Sequence, residues 1–141
     1  MNPNIYFATS KDIDYLASND HLSKDKVEEK FKRKEYIVAK QGNTYLGFLR
    51  FSLFWSEIPY IDVIGVEDEH QRKGIGKSMV KLLEAYALEN GQKVIMSSSQ
   101  QDEPEPQKWH KKIGFEEAGI VNDFFPIQDV PEIIFIKRLK R

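Results

Sequence analysis

The chain has 141 residues, enough for one domain with a buried core and too few for two. A hydrophobic fraction of 40% with 12% aromatic residues excludes a disordered chain. The 21 Lys and Arg residues nearly balance the 22 Asp and Glu residues, so the basic surplus typical of a nucleic-acid binder is missing. No cysteine is present, which excludes disulfides, thiolate metal sites and a cysteine nucleophile.

Two further absences in the sequence concern location and metals. No apolar run approaches the roughly 20 residues of a membrane span, and the N-terminus lacks the basic-then-apolar order of a secretory signal. The three histidines are scattered, without carboxylates at metal-ligand spacing. We therefore expect one cytoplasmic domain over residues 1–141, with no metal, no membrane contact and no nucleic-acid partner.

The first half of the chain predicts a strand, two helices and a hairpin. Residues 5–8 are strand-like, and hydroxyl side chains at Ser10 and Ser23 are placed to cap two helices. Residues 36–39 and 45–54 form β-rich runs on either side of a turn at 41–44, which indicates an antiparallel hairpin.

The second half alternates strands and helices. Residues 60–66 are nearly all apolar, as expected for a central strand buried on both faces, and Asp62 and Gly65 are the exceptions. Residues 74–89 follow a helical period, and strand 93–97 precedes a short helix that begins near 104 and ends by Gly114. Strands from 115 and over 132–139 close the chain. This order predicts a mixed α/β sheet with helices on its faces.

The connection from strand 60–66 to helix 74–89 contains two glycines, Gly74 and Gly76. Glycine lets the backbone approach a ligand, and the first N–H groups of a helix have no partner within it. Such a turn suits a phosphate group. Three cations add positive charge: Arg72, Lys73 and Lys77.

Two familiar phosphate motifs fail on spacing in this turn. Gly76-Lys77-Ser78 resembles the end of an ATP-binding P-loop, but the required first glycine would fall at Gln71. A dinucleotide fingerprint beginning at Gly74 would need its third glycine at Met79.

A different pattern fits. Val66-x-x-x-x-Gln71-x-x-Gly74-x-Gly76, between a strand and a helix, resembles the acetyl-CoA site of the GNAT-type N-acetyltransferases. Lys112-Ile113-Gly114-Phe115 is similar to the next landmark of that family, and the order of elements matches over nearly the whole chain. The resemblance implies the acyl-CoA N-acyltransferase fold: α/β, with a mixed, mostly antiparallel central sheet splayed at the cofactor cleft and helices on both faces.

The resemblance also implies acetyl-CoA as cosubstrate, in a cleft between the strand ending at Val66 and the strand ending near Ser97. Gly65 is placed to permit a β-bulge there. Backbone groups of Ile64 and Val66 would pair with the pantetheine arm. Backbone N–H groups would hold the pyrophosphate at the following residues: Gln71, Arg72, Lys73, Gly74, Ile75, Gly76 and Lys77.

In this family the amine attacks the thioester directly, and the reaction needs an oxyanion donor and a proton for the leaving thiolate. The N–H of Val66 is the implied oxyanion donor. The family commonly has a tyrosine four residues before the glycine of the Gly-Phe landmark, where this chain has His110. An imidazole can supply a proton near neutral pH, so His110 is the predicted acid. The alternative is a solvated helix histidine without a role.

Asp62 is the first candidate for the base that removes the proton of the amine. It is a carboxylate within an apolar strand, four residues before Val66. The alternative is that Asp62 caps a turn or forms a salt bridge with a helix. Glu57 is the second candidate, and a water chain can replace a dedicated base in this family.

These observations predict an N-acetyltransferase that acts on a primary amine of a small molecule or peptide in a ternary complex. The missing tyrosine leaves a non-catalytic acyl-CoA-binding or CoA-binding module of the same fold as the alternative. The near-zero net charge does not identify the acceptor. A homodimer is possible, and the segment Phe124-Phe125-Pro126 could cover the cleft or form a dimer contact.

Overall fold

The computed structural model describes residues 2–124 and 126–140, so Phe125 of the predicted cover lies outside the described residues. The elements follow the predicted order, with two short 3₁₀ turns added at Ser10–Asp12 and Asp68–His70. The strands are β1 (Asn4–Phe7), β2 (Tyr36–Gln41), β3 (Thr44–Phe54), β4 (Ile58–Val66), β5 (Val94–Gln100), β6 (Glu116–Val121) and β7 (Glu132–Arg138). The helices are α1 (Ile13–Asn19), α2 (Lys24–Lys32), α3 (Ile75–Glu89) and α4 (Pro104–Lys112).

Local capping explains several of the helix ends. The Ser23 hydroxyl accepts a hydrogen bond from the N–H of Lys26 at 3.4 Å, as its predicted role at the start of α2 requires. At the first turn the cap is Thr9 and not Ser10, because the Asp12 carboxylate accepts the N–H of Thr9 at 2.9 Å. Gly91 takes a φ of 79° after α3, a conformation that favours glycine and stops the helix.

The seven strands form one sheet in the order β1-β2-β3-β4-β5-β7-β6. All neighbouring strands are antiparallel except β4 and β5, which are parallel. Within the described residues the ladder between β4 and β5 consists of a single pair, Tyr60 with Met96. The two strands diverge beyond that pair, so the predicted mostly antiparallel, splayed sheet with helices on both faces is confirmed.

Two hydrophobic cores lie on opposite faces of the sheet. The larger core packs α3 against β2 to β5 and β7, with Met79, Leu83, Phe51 and Phe135 fully buried. The smaller core lies under α1 and α2, where Leu16 is fully buried, and it draws its strand residues from β1 to β4 alone. The helices α1 and α2 therefore cover only the β1–β4 half of their face.

The β-bulge of β4 lies at Asp62 and not at Gly65. Arg50 pairs with Val63 and Phe51 pairs with Ile61, so Asp62 is the extra residue, next to the place where the β4–β5 ladder ends. Gly65 pairs regularly with Phe48 of β3. The glycine that close packing requires is Gly47 on β3, where a Cβ would overlap the carbonyl oxygen of Gly65.

Candidate functional site

The open edge of β4 forms one wall of the candidate site. Ile64, Gly65 and Val66 are half-buried, so the expectation of a strand buried on both faces is wrong for this segment. The physical reason is the divergence of β5, which no longer covers β4 beyond Tyr60. The opposite wall is the end of β5, where Ser97 and Ser99 are buried.

The glycine turn folds back on the end of β4. The Gln71 side-chain amide donates to the carbonyl oxygen of Val66 at 3.1 Å and to Asp68 Oδ1 at 3.2 Å. Gly74 is the residue before α3 and has a φ of 80°, a left-handed conformation that only glycine adopts without strain. Its carbonyl accepts the first hydrogen bonds of α3, from the N–H and the hydroxyl of Ser78.

The backbone N–H groups of residues 72–77 find no acceptor among the residues that the structure describes. They lie at the N-terminus of a 15-residue helix, where the helix dipole favours negative charge. Arg72, Lys73 and Lys77 are exposed and form no ion pair within the described ranges. This arrangement of donors and cations can bind an anion.

Gly76 is buried, and its position has a packing role as well. A Cβ there would lie 3.2 Å from Cζ2 of Trp109 on α4 and 3.8 Å from Cδ1 of Ile64 on β4. The absence of a side chain therefore lets the first turn of α3 approach α4. Ile75 is also buried, with 4% of its surface exposed, so its side chain belongs to the larger core.

His110 is buried between α4 and the sheet, with 3% of its surface exposed, so the alternative of a solvated histidine is wrong. Its Nδ1 lies 2.7 Å from the carbonyl oxygen of Pro106, and its Nε2 lies 2.7 Å from Ser97 Oγ. The ring also stacks on Phe135 with 4.5 Å between centroids. A carbonyl oxygen can only accept, so Nδ1 carries the hydrogen and the neutral ring accepts from Ser97 at Nε2.

Burial lowers the pKa of His110 below its usual value of 6.5, against a smaller opposing effect of the hydrogen bond to Pro106. At neutral pH the ring is therefore uncharged. Its single N–H points at Pro106, away from any position that a thiolate on the Ser97 side could occupy. Donation of a proton by His110 requires the imidazolium form.

Asp62 lies on the face of the sheet opposite His110, so the structure does not bring the two predicted catalytic residues into contact. Its Oδ2 lies 3.2 Å from Nη1 of Arg50 and 3.9 Å from Nζ of Lys30, and it accepts a hydrogen bond from Ser52. The side chain is 23% exposed. Asp62 thus forms the salt bridges that were the alternative to a role as base, and Lys30 belongs to helix α2.

Sequence reasoning missed the buried partners of Asp62. Arg50 Nε lies 2.8 Å from Oδ2 of Asp20, which also accepts the hydroxyl of Tyr36 at 2.6 Å. Burial acts to raise the pKa of Asp20, but the hydrogen bonds from Tyr36 and Arg50 outweigh it and lower the pKa below its usual value. The available signal was Arg50 itself, a charge in the middle of an otherwise apolar β-run.

A cavity of about 360 Å³ opens on the α1 side of the same edge, with acidic residues of the turn along its rim. It is lined by Asn19, Phe48, Gly65, Val66, Glu67, Asp68 and Glu69. A second cavity of about 370 Å³ lies between β1 and the first 3₁₀ turn, several strands away from the divergence. Glu57, the second candidate base, is exposed in the turn before β4.

Within the described residues, no helix is long and apolar enough to cross a membrane. No group of three or more His, Asp or Glu side chains in that part of the chain could hold a metal ion.

The sequence model of the acetyltransferase (GNAT) family matches residues 6–115. A comparison with curated protein sequences found no match. Among solved structures, the chain is similar to Ard1 from Thermoplasma volcanium, with 14% identity, a TM-score of 0.84 and 100% of both chains covered.

Two further structures show the same fold. The ribosomal-protein-S18-alanine N-acetyltransferase from Escherichia coli has 15% identity and a TM-score of 0.79, over 99% of this chain and 96% of that one. A GNAT family acetyltransferase from Elizabethkingia anophelis, solved with acetyl-CoA bound, has 20% identity and a TM-score of 0.78, over 98% of this chain and 99% of that one.

Proposed function

Because the chain belongs to the acetyltransferase (GNAT) family, we propose that it transfers an acetyl group from acetyl-CoA to a primary amine of a small molecule or peptide. The amine attacks the thioester directly in a ternary complex. The observation that carries the proposal is the run of unpaired N–H groups at residues 72–77, beside the diverging strands β4 and β5.

The glycine turn holds the pyrophosphate of acetyl-CoA. The N–H groups of residues 72–77 supply the hydrogen bonds, and Lys73 and Lys77 add charge. Gln71 contributes less than the family pattern implies, because its N–H already lies 3.5 Å from the carbonyl oxygen of Asp68 and its side chain binds Val66. The backbone of Ile64 and Val66 pairs with the pantetheine arm along the edge that β5 leaves open.

On the acceptor side, Asp62 receives the proton of the amine. Arg50 and Lys30 hold its carboxylate in place, with N–O distances of 3.2 and 3.9 Å. A water chain remains the alternative route for this proton. The N–H of Val66 stabilises the oxyanion.

For the leaving thiolate we propose a relay rather than direct donation by His110. The imidazolium form of His110 donates from Nε2 to Ser97 Oγ, and the hydroxyl hydrogen of Ser97 passes to the thiolate sulfur. The neutral ring that results accepts from Ser97, as in the observed hydrogen bond of 2.7 Å. The relay predicts that thiol release depends on both residues.

A non-catalytic CoA-binding module is the second candidate function. It is favoured by one observation: His110, at the position of the usual tyrosine, is buried and neutral. Calorimetry with acetyl-CoA together with a thiol-release assay over a panel of amines separates the candidates. Binding without amine-dependent thiol release supports the module, and no heat at millimolar acetyl-CoA refutes both.

A pair of charge reversals on α3 tests the anion site. Lys77→Glu places a carboxylate among the unpaired N–H groups, and we expect acetyl-CoA affinity to fall about tenfold. Lys81→Glu, one turn further along the same helix and equally exposed, is the matched control and should change affinity less than about twofold. Equal effects of the two variants would contradict the placement of the pyrophosphate.

The single domain over residues 1–141, the cytoplasmic location and the possible homodimer stay predictions.

A further inference from the structure

The hydroxyl of Ser99 is buried near the end of β5 without a partner. Ser99 is 8% exposed, and within the described part of the chain its Oγ forms no hydrogen bond. A hydroxyl that leaves water and finds no partner destabilises the fold. The large majority of buried polar side-chain atoms in proteins are paired, so an exception at the wall of a cleft points to a ligand that supplies the partner.

Helix α4 contacts β5 on both sides of Ser99 but gives that residue no partner. His110 of α4 bonds Ser97 Oγ at 2.7 Å, and the side-chain amide of Gln107 donates to the carbonyl oxygen of Gln100 at 3.1 Å. Residues two apart in a strand point to the same face, so Ser97 and Ser99 both face α4. The unpaired hydroxyl therefore lies under α4, between the two contacts that attach this helix to the strand.

This part of β5 borders the gap left by the diverging strands. The last pair of the β4–β5 ladder in the described residues is Tyr60 with Met96, so beyond Met96 the β4-facing edge of β5 is open. The other edge continues to pair with β7 as far as Gln100 with Glu132. Ser99 thus stands at the wall of the gap, and a rotation about its χ1 angle can turn the hydroxyl from its covered position towards the open edge.

The gap begins at the anion site of the glycine turn. The first turn of α3 meets the other walls there, since a Cβ on Gly76 would lie 3.2 Å from Cζ2 of Trp109 on α4 and 3.8 Å from Cδ1 of Ile64 on β4. A ligand with phosphates on the N–H groups of residues 72–77 and an arm along the open edge of β4 therefore has β5 on its other side. The hydroxyl of Ser99 is an unpaired side-chain donor on that wall.

We propose that Ser99 binds the pantetheine arm of acetyl-CoA by donating a hydrogen bond from its hydroxyl to an amide carbonyl oxygen of the arm. The backbone of β4 holds one edge of the arm, and Ser99 holds the other. Binding gives the hydroxyl the partner that it lacks in the free chain, so the residue contributes to affinity and lowers the stability of the ligand-free fold. The inference rests on the proposed function for the identity of the ligand.

Ser99→Ala should therefore have opposite effects on the free and the bound chain. In the ligand-free chain it removes an unpaired buried hydroxyl, and the melting temperature should rise by about 3 °C. In calorimetry it removes one hydrogen bond to the ligand, and the affinity for CoA should fall about threefold to tenfold. Ser98→Ala is the matched control. The Ser98 hydroxyl faces the other side of the strand and is bonded to Tyr60, so the melting temperature should not rise and the affinity for CoA should stay within about twofold.

A second ligand separates the arm from the phosphates. Adenosine 3′-phosphate 5′-diphosphate carries the phosphates of CoA without the pantetheine arm, so Ser99→Ala should leave its affinity within about twofold of the native value. Equal losses for both ligands, an unchanged affinity for CoA, or a lower melting temperature of the ligand-free variant would each overturn the proposal. The last result would show that the hydroxyl has a partner in the free chain.

The outcomes separate this inference from the proposed function. If the native chain gives no heat with millimolar CoA, both are refuted. If CoA binds and Ser99→Ala binds it equally well, only the inference is refuted. Loss of CoA affinity in Ser99→Ala, in a chain that releases no thiol with any amine, would support the contact with the arm and contradict acetyl transfer.

Discussion

The buried pair of Ser97 and His110 yields a prediction that tests both the stability of the fold and the proposed relay. His110→Phe keeps an aromatic ring on Phe135 but leaves the Ser97 hydroxyl without its partner. A buried polar group left unpaired costs about 1–3 kcal/mol. Part of that cost is offset by the apolar ring, so we expect the free energy of unfolding to fall by about 1–3 kcal/mol.

A double-mutant cycle isolates the hydrogen bond between the two side chains. Ser97→Ala alone leaves Nε2 of His110 unpaired, whereas in the double variant with His110→Phe neither group remains. The loss in the double variant should be smaller than the sum of the single losses by about 1 kcal/mol. Ser98→Ala is the matched control, since its side chain lies on the opposite face of β5, and its effect should add to that of His110→Phe.

The pH dependence of stability provides an independent measurement. Because burial lowers the pKa of His110 in the folded state, the unfolded chain binds more protons just below 6.5. The contribution of the neutral His110 to the free energy of unfolding is complete above pH 6.5. It is lost as the pH falls towards the pKa of His110 in the folded state. The slope of the free energy of unfolding against pH that arises from this one group reaches at most about 1.4 kcal/mol per pH unit.

Urea unfolding between pH 5 and 8 measures this slope. The native chain should lose more stability below pH 6.5 than the His110→Phe variant, and the difference between the two curves removes the contribution of all other groups. Parallel curves would refute the buried neutral imidazole.

The relay makes a separate, kinetic prediction. Both His110→Phe and Ser97→Ala should slow thiol release at least tenfold, while the affinity for acetyl-CoA stays within about twofold of the native value. An unchanged rate would remove the pair from the mechanism.

Two glycine predictions concern close packing around the candidate site. Gly47→Ala should lower the free energy of unfolding by about 2–3 kcal/mol, because its Cβ would overlap the carbonyl of Gly65 and lie 3.0 Å from Cα of Val66. Gly65→Ala meets nothing within 4 Å and should cost less than about 1 kcal/mol in the same urea titration, so equal losses would contradict the strand register. Gly76→Ala crowds Trp109 at 3.2 Å but gains about 1 kcal/mol of helix propensity, so stability should change little while Trp109 fluorescence shifts.

Local pattern was enough to predict the order of elements and the position of the glycine turn. The apolar period of α3 and the capping hydroxyl of Ser23 depend on interactions between residues only a few positions apart in the chain. Such interactions can be predicted from the sequence alone. Asp62 could also be singled out, because a carboxylate in an apolar strand requires a partner. Its partners could not be identified, since the contact from Arg50 to Asp20 spans 30 residues of sequence and depends on the packing of α1 against the sheet.

Two features depend on tertiary packing in a way that no local pattern reports. His110 is buried because it lies on the face of α4 that packs towards β5. In a short helix with mixed charges, the sequence does not indicate which face will be buried. The bulge in the β3–β4 ladder lies at Asp62, next to the end of the β4–β5 ladder, whereas the presence of Gly65 only indicated that a bulge was permitted. Glycine marks possible irregularity, but strand pairing decides where it occurs.

The hydrogen bonds from Gln71 to Val66 and Asp68 have a consequence for the thermodynamics of ligand binding. They hold the turn in its curved form in the ligand-free chain, so the conformational entropy of ordering this loop is lost during folding and not on association. An anion meets preorganised donors. Replacing Gln71 with alanine would move that entropic cost to the binding step, visible in calorimetry as a less favourable entropy at nearly constant enthalpy.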